Sequence, residues 1–367
     1  MEKTKKIAVV AVFVLMIFGL AISHWLVPDA KLSDTERRAL AQKPEFSSEK
    51  VFDGSYASEL ETYLLEQFPL RDSFRGIKTV MNTHLWQMKN TNDYYYADGH
   101  WMEIGETLEE KQVNFAVRRL NKILETHPQI QNAYYAIIPD KNYFLAGKNG
   151  YPAMDYEALY RMMEEVDAQE IDLRPTLRLE DYYRTDSHWR QEKLQEVVTA
   201  LNTAMNVPVV DFGSYEQHEL EGFSGVYADH TAYPFISESL VYLQNAATEN
   251  AVLKRIDEYS GQWVEMSMYD IAAYDGVDPY DIYLSGAESL ITIENPDATS
   301  DKHLIMFRDS FASALTPMLC ESYAKITMVD MRYITLEYID QLVDFENADV
   351  LFLYSTTLLN SAGTVLK

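Results

Sequence analysis

Apolar and polar positions along this chain fall into rhythms whose changes mark its elements. Residues 7–22 form an almost unbroken apolar run, extended by Trp25, Leu26 and Val27 up to Pro28 and preceded by Lys3, Lys5 and Lys6. A basic flank followed by roughly 20 apolar residues predicts a membrane anchor. A secretory signal cleaved near Ala21-Ile22-Ser23 fits the same pattern. In both cases the basic flank stays inside and the remaining chain lies on the extracytoplasmic side. Residues 32–44, with Ser33, Asp34, Glu36, Arg37 and Arg38, read as a polar tether. Helical periodicity then runs over 56–87 through Leu60, Leu64, Leu65 and Phe68, breaks at Pro69, and resumes at Phe74, Ile77 and Val80.

Beyond this point short β-rich runs alternate with amphipathic helices. Residues 94–99 read as a strand ending in an Asp-Gly turn, 106–126 as a helix, and 133–138 as a buried parallel strand stopping at Pro139. A helix over 156–166, a strand at 171–173 and a helix over 191–205 follow. From 211 to 295 aromatics alternate with polar residues and turn residues recur, which predicts a β-rich insertion. Strand and helix alternation then resumes: strand 303–307, helix 311–323, strand 326–329, helix 335–343, strand 350–354. The expected organisation is an anchor at 1–30, a tether and helical segment at 31–92, and an α/β domain at 93–367 with a mostly parallel sheet covered on both faces.

Composition narrows the partners. A formal charge of −26 argues against nucleic acid, whose phosphates must be neutralised by Lys and Arg, and against broad adhesion to an anionic membrane surface. Cys320 is the only cysteine, so neither an intrachain disulfide nor a thiolate metal site is possible, and its apolar helical setting assigns it to packing. His100, His127, His218, His230 and His303 show no close metal-ligand spacing, and no cofactor is expected. The 26 tyrosines suit sugar-facing surfaces and half-buried strands alike.

Two segments carry candidate chemistry. Ser310, in Arg308-Asp309-Ser310-Phe311, falls between an apolar strand and a helix. In open α/β sheets that corner is where ligands bind, and the helix N-terminus offers backbone N–H groups to a developing oxyanion. Asp309 or Ser310 serving only as a helix cap is the competing reading. In Thr185-Asp186-Ser187-His188-Trp189, residues two apart in an extended loop share a side, so Asp186 can orient His188 while Trp189 walls the site. A serine nucleophile needs a base, and that base needs an acceptor to fix its tautomer. A structural Asp–His hydrogen bond is the alternative for this loop, and Asp229-His230 is a second, lower-ranked Asp–His pair.

These two motifs together resemble the bacterial family named for its Asp-His-His-Trp motif, and are similar to the related alginate O-acetylation proteins. Ser33 to Phe46, Glu66-Gln67-Phe68-Pro69-Leu70-Arg71-Asp72, Ile138-Pro139-Asp140-Lys141 and Asp330-Met331-Arg332-Tyr333 follow the family pattern in order. The resemblance implies a three-layer α/β/α, SGNH-hydrolase-like domain with permuted motif order. It makes Ser310 the nucleophile, His188 the base and Asp186 the orienting acid. Lys141 and Arg332 become candidates for substrate binding or structural ion pairing. Ser187 replaces the first His of the name motif and Arg308 the Gly of the Gly-Asp-Ser block, while no Gly-x-Asn-Asp block is visible. Ser310's own N–H is then the expected oxyanion donor. The implied activity is O-acetyl transfer to, or ester hydrolysis on, a cell-surface polysaccharide, with a membrane-bound O-acyltransferase as partner. The other function class is a non-catalytic polysaccharide-binding or assembly scaffold with a vestigial triad.

Overall fold

The protein is described by a computed structural model covering residues 2–33, 35–257 and 259–367, so Asp34 of the expected tether lies outside the described residues. The chain forms two compact units, Met1–Asn92 with Asp229–Pro234, and Asp93–Ala228 with Phe235–Lys367.

The first unit opens with helix α1 (Glu2–Leu26). Its stretch Thr4–Leu26, with mean hydropathy 2.6, is long and apolar enough to cross a membrane, as an anchor or a signal sequence would be. Two further helices, α2 (Ser55–Glu66) and α3 (Arg71–Val80), flank the Pro69 break, and one π-helical turn, Met81–Leu85, extends α3. The segment read as a tether is folded onto them. Glu36 takes hydrogen bonds from Arg71 at 2.5 and 3.1 Å, and the Arg75 guanidinium lies 3.6 Å away. These cations hold the Glu36 carboxyl below its ordinary range although burial alone acts the other way.

The second unit is built on an eight-stranded sheet. In chain order its strands are β1 (Asn132–Ile138), β2 (Gln169–Glu170), β3 (Val252–Ile256), β4 (Trp263–Met266), β5 (Leu290–Glu294), β6 (His303–Arg308), β7 (Lys325–Val329) and β8 (Ala348–Ser355). They lie side by side as β4-β3-β5-β7-β6-β8-β1-β2. The five strands from β7 to β2 run parallel, and β5, β3 and β4 extend that sheet by antiparallel pairing. Much of the expected β-rich insertion is therefore continuous with the main sheet.

Alternation along the strands explains the layering. In β6, Leu304 and Met306 join one buried cluster while Ile305 and Phe307 join another. Val197, Val198 and Leu201 of α6 (Gln195–Ala204) and Ala314, Leu315 and Met318 of α7 (Phe311–Leu319) cover the first face. Helices α4 (Glu110–Thr126), α5 (Tyr156–Met163) and α8 (Leu336–Leu342) cover the second. Period-two residues thus feed two cores at once, which is why β8 is buried at every position. Truncating one such side chain, as in Ile305→Ala, costs about 2–5 kcal/mol.

Several expected boundaries shift, the helices over 106–126 and 156–166 shortening to Glu110–Thr126 and Tyr156–Met163. The strand expected at 171–173 lies at Gln169–Glu170, because Asp172 accepts the Arg174 N–H and turns the chain. The helix over 191–205 starts as a 3-10 turn, Gln191–Lys193, before α6. The helix over 311–323 ends at Leu319. Crossovers leave β6 toward β7 and β1 toward β2 in opposite directions, opening a crevice beyond the carboxyl ends of β6, β8 and β1.

Candidate active site

Ser310 sits at the carboxyl end of β6, on the first turn into α7. Its hydroxyl makes no capping bond. Asp309 does the capping: its carboxylate accepts the Phe311 N–H at 3.1 Å and, across the sheet, the Ser355 N–H at 2.7 Å. The capping carboxylate and the Ser310 hydroxyl thus belong to separate residues. Beneath it the fully buried Arg308 lies 3.6 Å from Asp330, which is in turn gripped by Arg332 at 2.6 and 2.9 Å. Burial lowers the Arg308 pKa, and Asp330 opposes that shift.

Ser310 Oγ is 2.8 Å from His188 Nε2, and His188 Nδ1 is 2.7 Å from Asp186 Oδ1. The loop carrying the latter two is closed by a bridge between Tyr182 and Trp189 and by the Tyr183 N–H donating to the His188 carbonyl. Asp186 is buried, and desolvation alone pushes its carboxyl up. The His188 ring, the His188 N–H at 3.0 Å and the Val226 N–H at 2.9 Å outweigh this and hold it well below the usual carboxylate range. An ionised carboxylate on Nδ1 leaves Nε2 facing the serine hydroxyl, the tautomer a general base requires. Among the described residues, no acceptor is paired with the Ser310 N–H. The side-chain amides of Asn142 and Asn360, which also line this pocket, donate to the Glu103 and Thr107 carbonyls.

Ser310 and His188 open on a pocket of about 400 Å³, bordered also by Ser187 and by the expected candidates Lys141 and Arg332, with Asp186 buried behind them. Trp189 does not border it. Strand-like alternation turns Trp189 away from His188, and the buried indole donates to the Phe311 carbonyl at 2.8 Å, tying the loop to α7. The expectation that Trp189 walls the site is therefore corrected: it fastens the site from behind. Lys141 is also buried. Its ammonium donates to the Trp101 and Tyr183 carbonyls at 2.8 and 2.9 Å, and burial pushes its pKa down to about 7 against the pull of Asp186, Glu238 and Asp140.

The Asp-Ser-His-Trp loop and the Arg-Asp-Ser-Phe corner both lie inside the span matched by the family model described as DHHW protein. Residues 159–329 match that model. In three dimensions the chain is similar to a DHHW family protein from Eubacterium siraeum DSM 15702, with TM-score 0.62 and 20% identity over 76% of this chain and 97% of that one. It is also similar to Bacillus cereus PatB1 with a sulfonyl adduct, with TM-score 0.60 and 18% identity over 76% and 99%. At these identities the likeness is one of fold. The O-acetyltransferase domain of Pseudomonas putida AlgJ gives a TM-score of 0.44 at 12% identity, over 73% of this chain and 92% of that one. No curated protein matches in sequence.

Several residues within the matched span that hold the site are absent from the sequence reading. Tyr280 stacks on the His188 ring at 4.0 Å and 11°. Glu238 accepts the Arg184 N–H, the Thr185 N–H and the Thr185 hydroxyl at 2.7–2.8 Å. A Cβ at Gly225 would lie 2.4 Å from Asp186 Cβ, so only glycine fits there. All three come from the aromatic-rich stretch after 211, where no local pattern distinguishes them. Asp229-His230, the alternative pair, groups with the other compact unit, where Asp229 pairs with Arg37. Cys320 is buried, with its thiol pushed up to about 12 by desolvation.

Proposed function

We propose that this protein is an extracytoplasmic, membrane-anchored carbohydrate O-acetyltransferase or acetylesterase of the SGNH-hydrolase-like type, working through a Ser-His-Asp triad. The observation that carries the reading is the unbroken hydrogen-bond chain from Ser310 through His188 to Asp186 at the mouth of a pocket. His188 Nε2 takes the proton of the Ser310 hydroxyl as Oγ attacks the acyl carbon. The Ser310 N–H and the first turn of α7 receive the oxyanion. The protonated His188 returns its proton to the departing alcohol, leaving an acyl-Ser310. A sugar hydroxyl or water, deprotonated by His188, then takes the acyl group as the ester bond to Ser310 Oγ breaks, and His188 returns that proton to Oγ. Asp186 stays ionised throughout and steadies the imidazolium.

Arg332, whose side chain is 23% exposed beside the pocket, is the better-placed of the two cationic candidates for contact with substrate. Lys141 acts from beneath by fastening the base loop. The polysaccharide substrate and a membrane-bound O-acyltransferase partner come with the family resemblance. A scaffold with a vestigial triad predicts a serine out of reach of the histidine, and the 2.8 Å separation favours the catalytic reading.

The test is Ser310→Ala in the full-length protein, assayed on an activated acetyl ester and with a sulfonyl fluoride of the class that gives a sulfonyl adduct. Mass spectrometry is expected to find the adduct on Ser310 of the wild-type protein and none on the Ser310→Ala variant. Turnover is expected to fall by at least about 10³-fold with the circular-dichroism spectrum unchanged. A folded Ser310→Ala variant that keeps its turnover overturns the assignment.

A further inference from the structure

The first compact unit carries an apolar surface that the proposed chemistry does not use. On α3 and the π-helical turn that extends it, Phe74 (45% exposed), Ile77 (55%) and Leu85 (67%) recur at helical spacing on the outer side. Leu65 (62%) and Phe68 (37%) continue this ridge from α2, and the Phe68 and Phe74 rings meet edge-on at 5.8 Å. Trp86, beside Leu85, is exposed as well. A soluble surface rarely presents so many large apolar side chains in one patch.

The position of the ridge within its unit identifies what covers it. The carboxyl-terminal end of α2 is fastened to the chain leaving α1. The Tyr63 hydroxyl donates to Asp29 at 3.1 Å, and its ring meets the His24 ring at 5.7 Å. Gln67 accepts the Ala30 N–H at 3.0 Å and donates to the Ala30 carbonyl at 2.8 Å. Leu65 and Phe68 are therefore within one helical turn of groups locked to the end of the apolar helix. If α1 spans the membrane, that end is the membrane–water boundary, where exposed Trp25 and the Lys43 ammonium over its ring form the usual aromatic and basic belt.

We infer that the α2–α3 segment lies against the outer face of the membrane and dips its apolar ridge into the headgroup and acyl boundary, as a second, monotopic contact beside the spanning helix. The inference rests on reading α1 as an anchor. The contact is apolar and local, so the net charge of −26 does not oppose it: the anchor already holds the ridge at the lipid surface. The consequence is orientational. A spanning helix alone leaves the attached chain free to swivel, whereas a second contact fixes the first unit relative to the bilayer.

Spin labels on Phe74→Cys, Ile77→Cys and Leu85→Cys in the full chain, reconstituted in phosphatidylcholine vesicles, test this. Wild-type protein, whose Cys320 is buried, sets the labelling background. A label on Val12→Cys reports whether α1 is in lipid, and one on Lys111→Cys of α4 provides the aqueous reference. The inference expects the three ridge labels to collide with dissolved oxygen at least about threefold more than with a water-soluble nickel chelate, relative to the Lys111 label. Ridge labels as water-accessible as the reference, with the Val12 label in lipid, overturn this inference alone. A Val12 label outside lipid overturns the anchor reading and this inference with it. Ridge labels shielded from both reagents mean a protein contact instead, and that result also overturns it.

Discussion

Ser310 and His188, the proposed nucleophile and base, are held in opposite ways. The serine stands on a strand–turn–helix corner whose supports are local: Asp309 caps the turn, and Arg308 roots it on Asp330. The loop carrying Asp186 and His188 has little regular structure of its own and is gripped from outside. Val226 and Gly225 press on Asp186, Glu238 closes on Thr185, and Tyr280 lies flat against His188. A nucleophile can be positioned by the fold itself. A base needs a tautomer, a ring plane and a charge partner, and here separate residues supply each. Substitutions around the base should therefore be graded, while the serine corner fails all at once.

The largest effect on the base side is expected from Asp186→Asn. It preserves shape but removes the charge that fixes the His188 tautomer, and turnover of an acetyl ester should drop about 10⁴-fold. The same variant has a stability signature. Asp186 is held below its ordinary value, so its contribution is fully present above the unfolded carboxylate pKa of about 3.9 and is lost as pH falls through the lower folded value. Urea melts of wild type and Asp186→Asn should converge as the pH is lowered through that window. A gap that stays constant with pH would mean that Asp186 is not ionised in the folded state.

Gly225→Ala comes next. The added methyl would also meet the Thr185 backbone at 2.6 Å, and rigid backbone cannot yield. The acid must move, and a displacement of about 1 Å costs on the order of 10²-fold in turnover. Near-wild-type rates from a folded Gly225→Ala protein would show that the loop is less tightly gripped than the serine corner is rooted.

Glu238→Gln is expected to be milder. Its carboxylate receives three donors, and an amide keeps one acceptor oxygen while presenting an NH₂ to a backbone N–H. A loss of ~1–2 kcal/mol, or roughly tenfold in turnover, follows from an imperfectly paired buried donor. Steady-state kinetics should place the loss in kcat more than in KM, because Glu238 does not border the pocket.

The contrast also explains what the sequence made legible. The β6–Ser310–α7 corner is contiguous, so an apolar run followed by a small-residue helix was enough to find it. The Asp186–His188 spacing was readable for the same reason. Gly225, Glu238 and Tyr280 reach that loop through tertiary packing from a stretch whose alternation resembles an ordinary β-rich insertion. Trp189 was misplaced because one step along an extended segment reverses the side a residue faces. The parallel core was legible from strand and helix alternation between 303 and 355, whereas the antiparallel extension by β3, β4 and β5 was not, because short strands do not announce their partners.

Tyr280 offers the finest test of the comparison. Its ring is parallel to the imidazole of His188, and among the described residues its buried hydroxyl has no hydrogen-bond partner. If the loop is gripped by surfaces as well as hydrogen bonds, the ring face matters and the hydroxyl does not. Tyr280→Phe should then keep turnover within about twofold, with stability unchanged or slightly raised by removal of an unpaired polar group. Tyr280→Leu retains bulk but loses the flat face that holds the imidazole plane. A stacking energy of ~0.5–1.5 kcal/mol converts to a loss of about two- to tenfold in kcat. Phe and Leu variants that are equally impaired would locate the contribution in the hydroxyl and break the comparison.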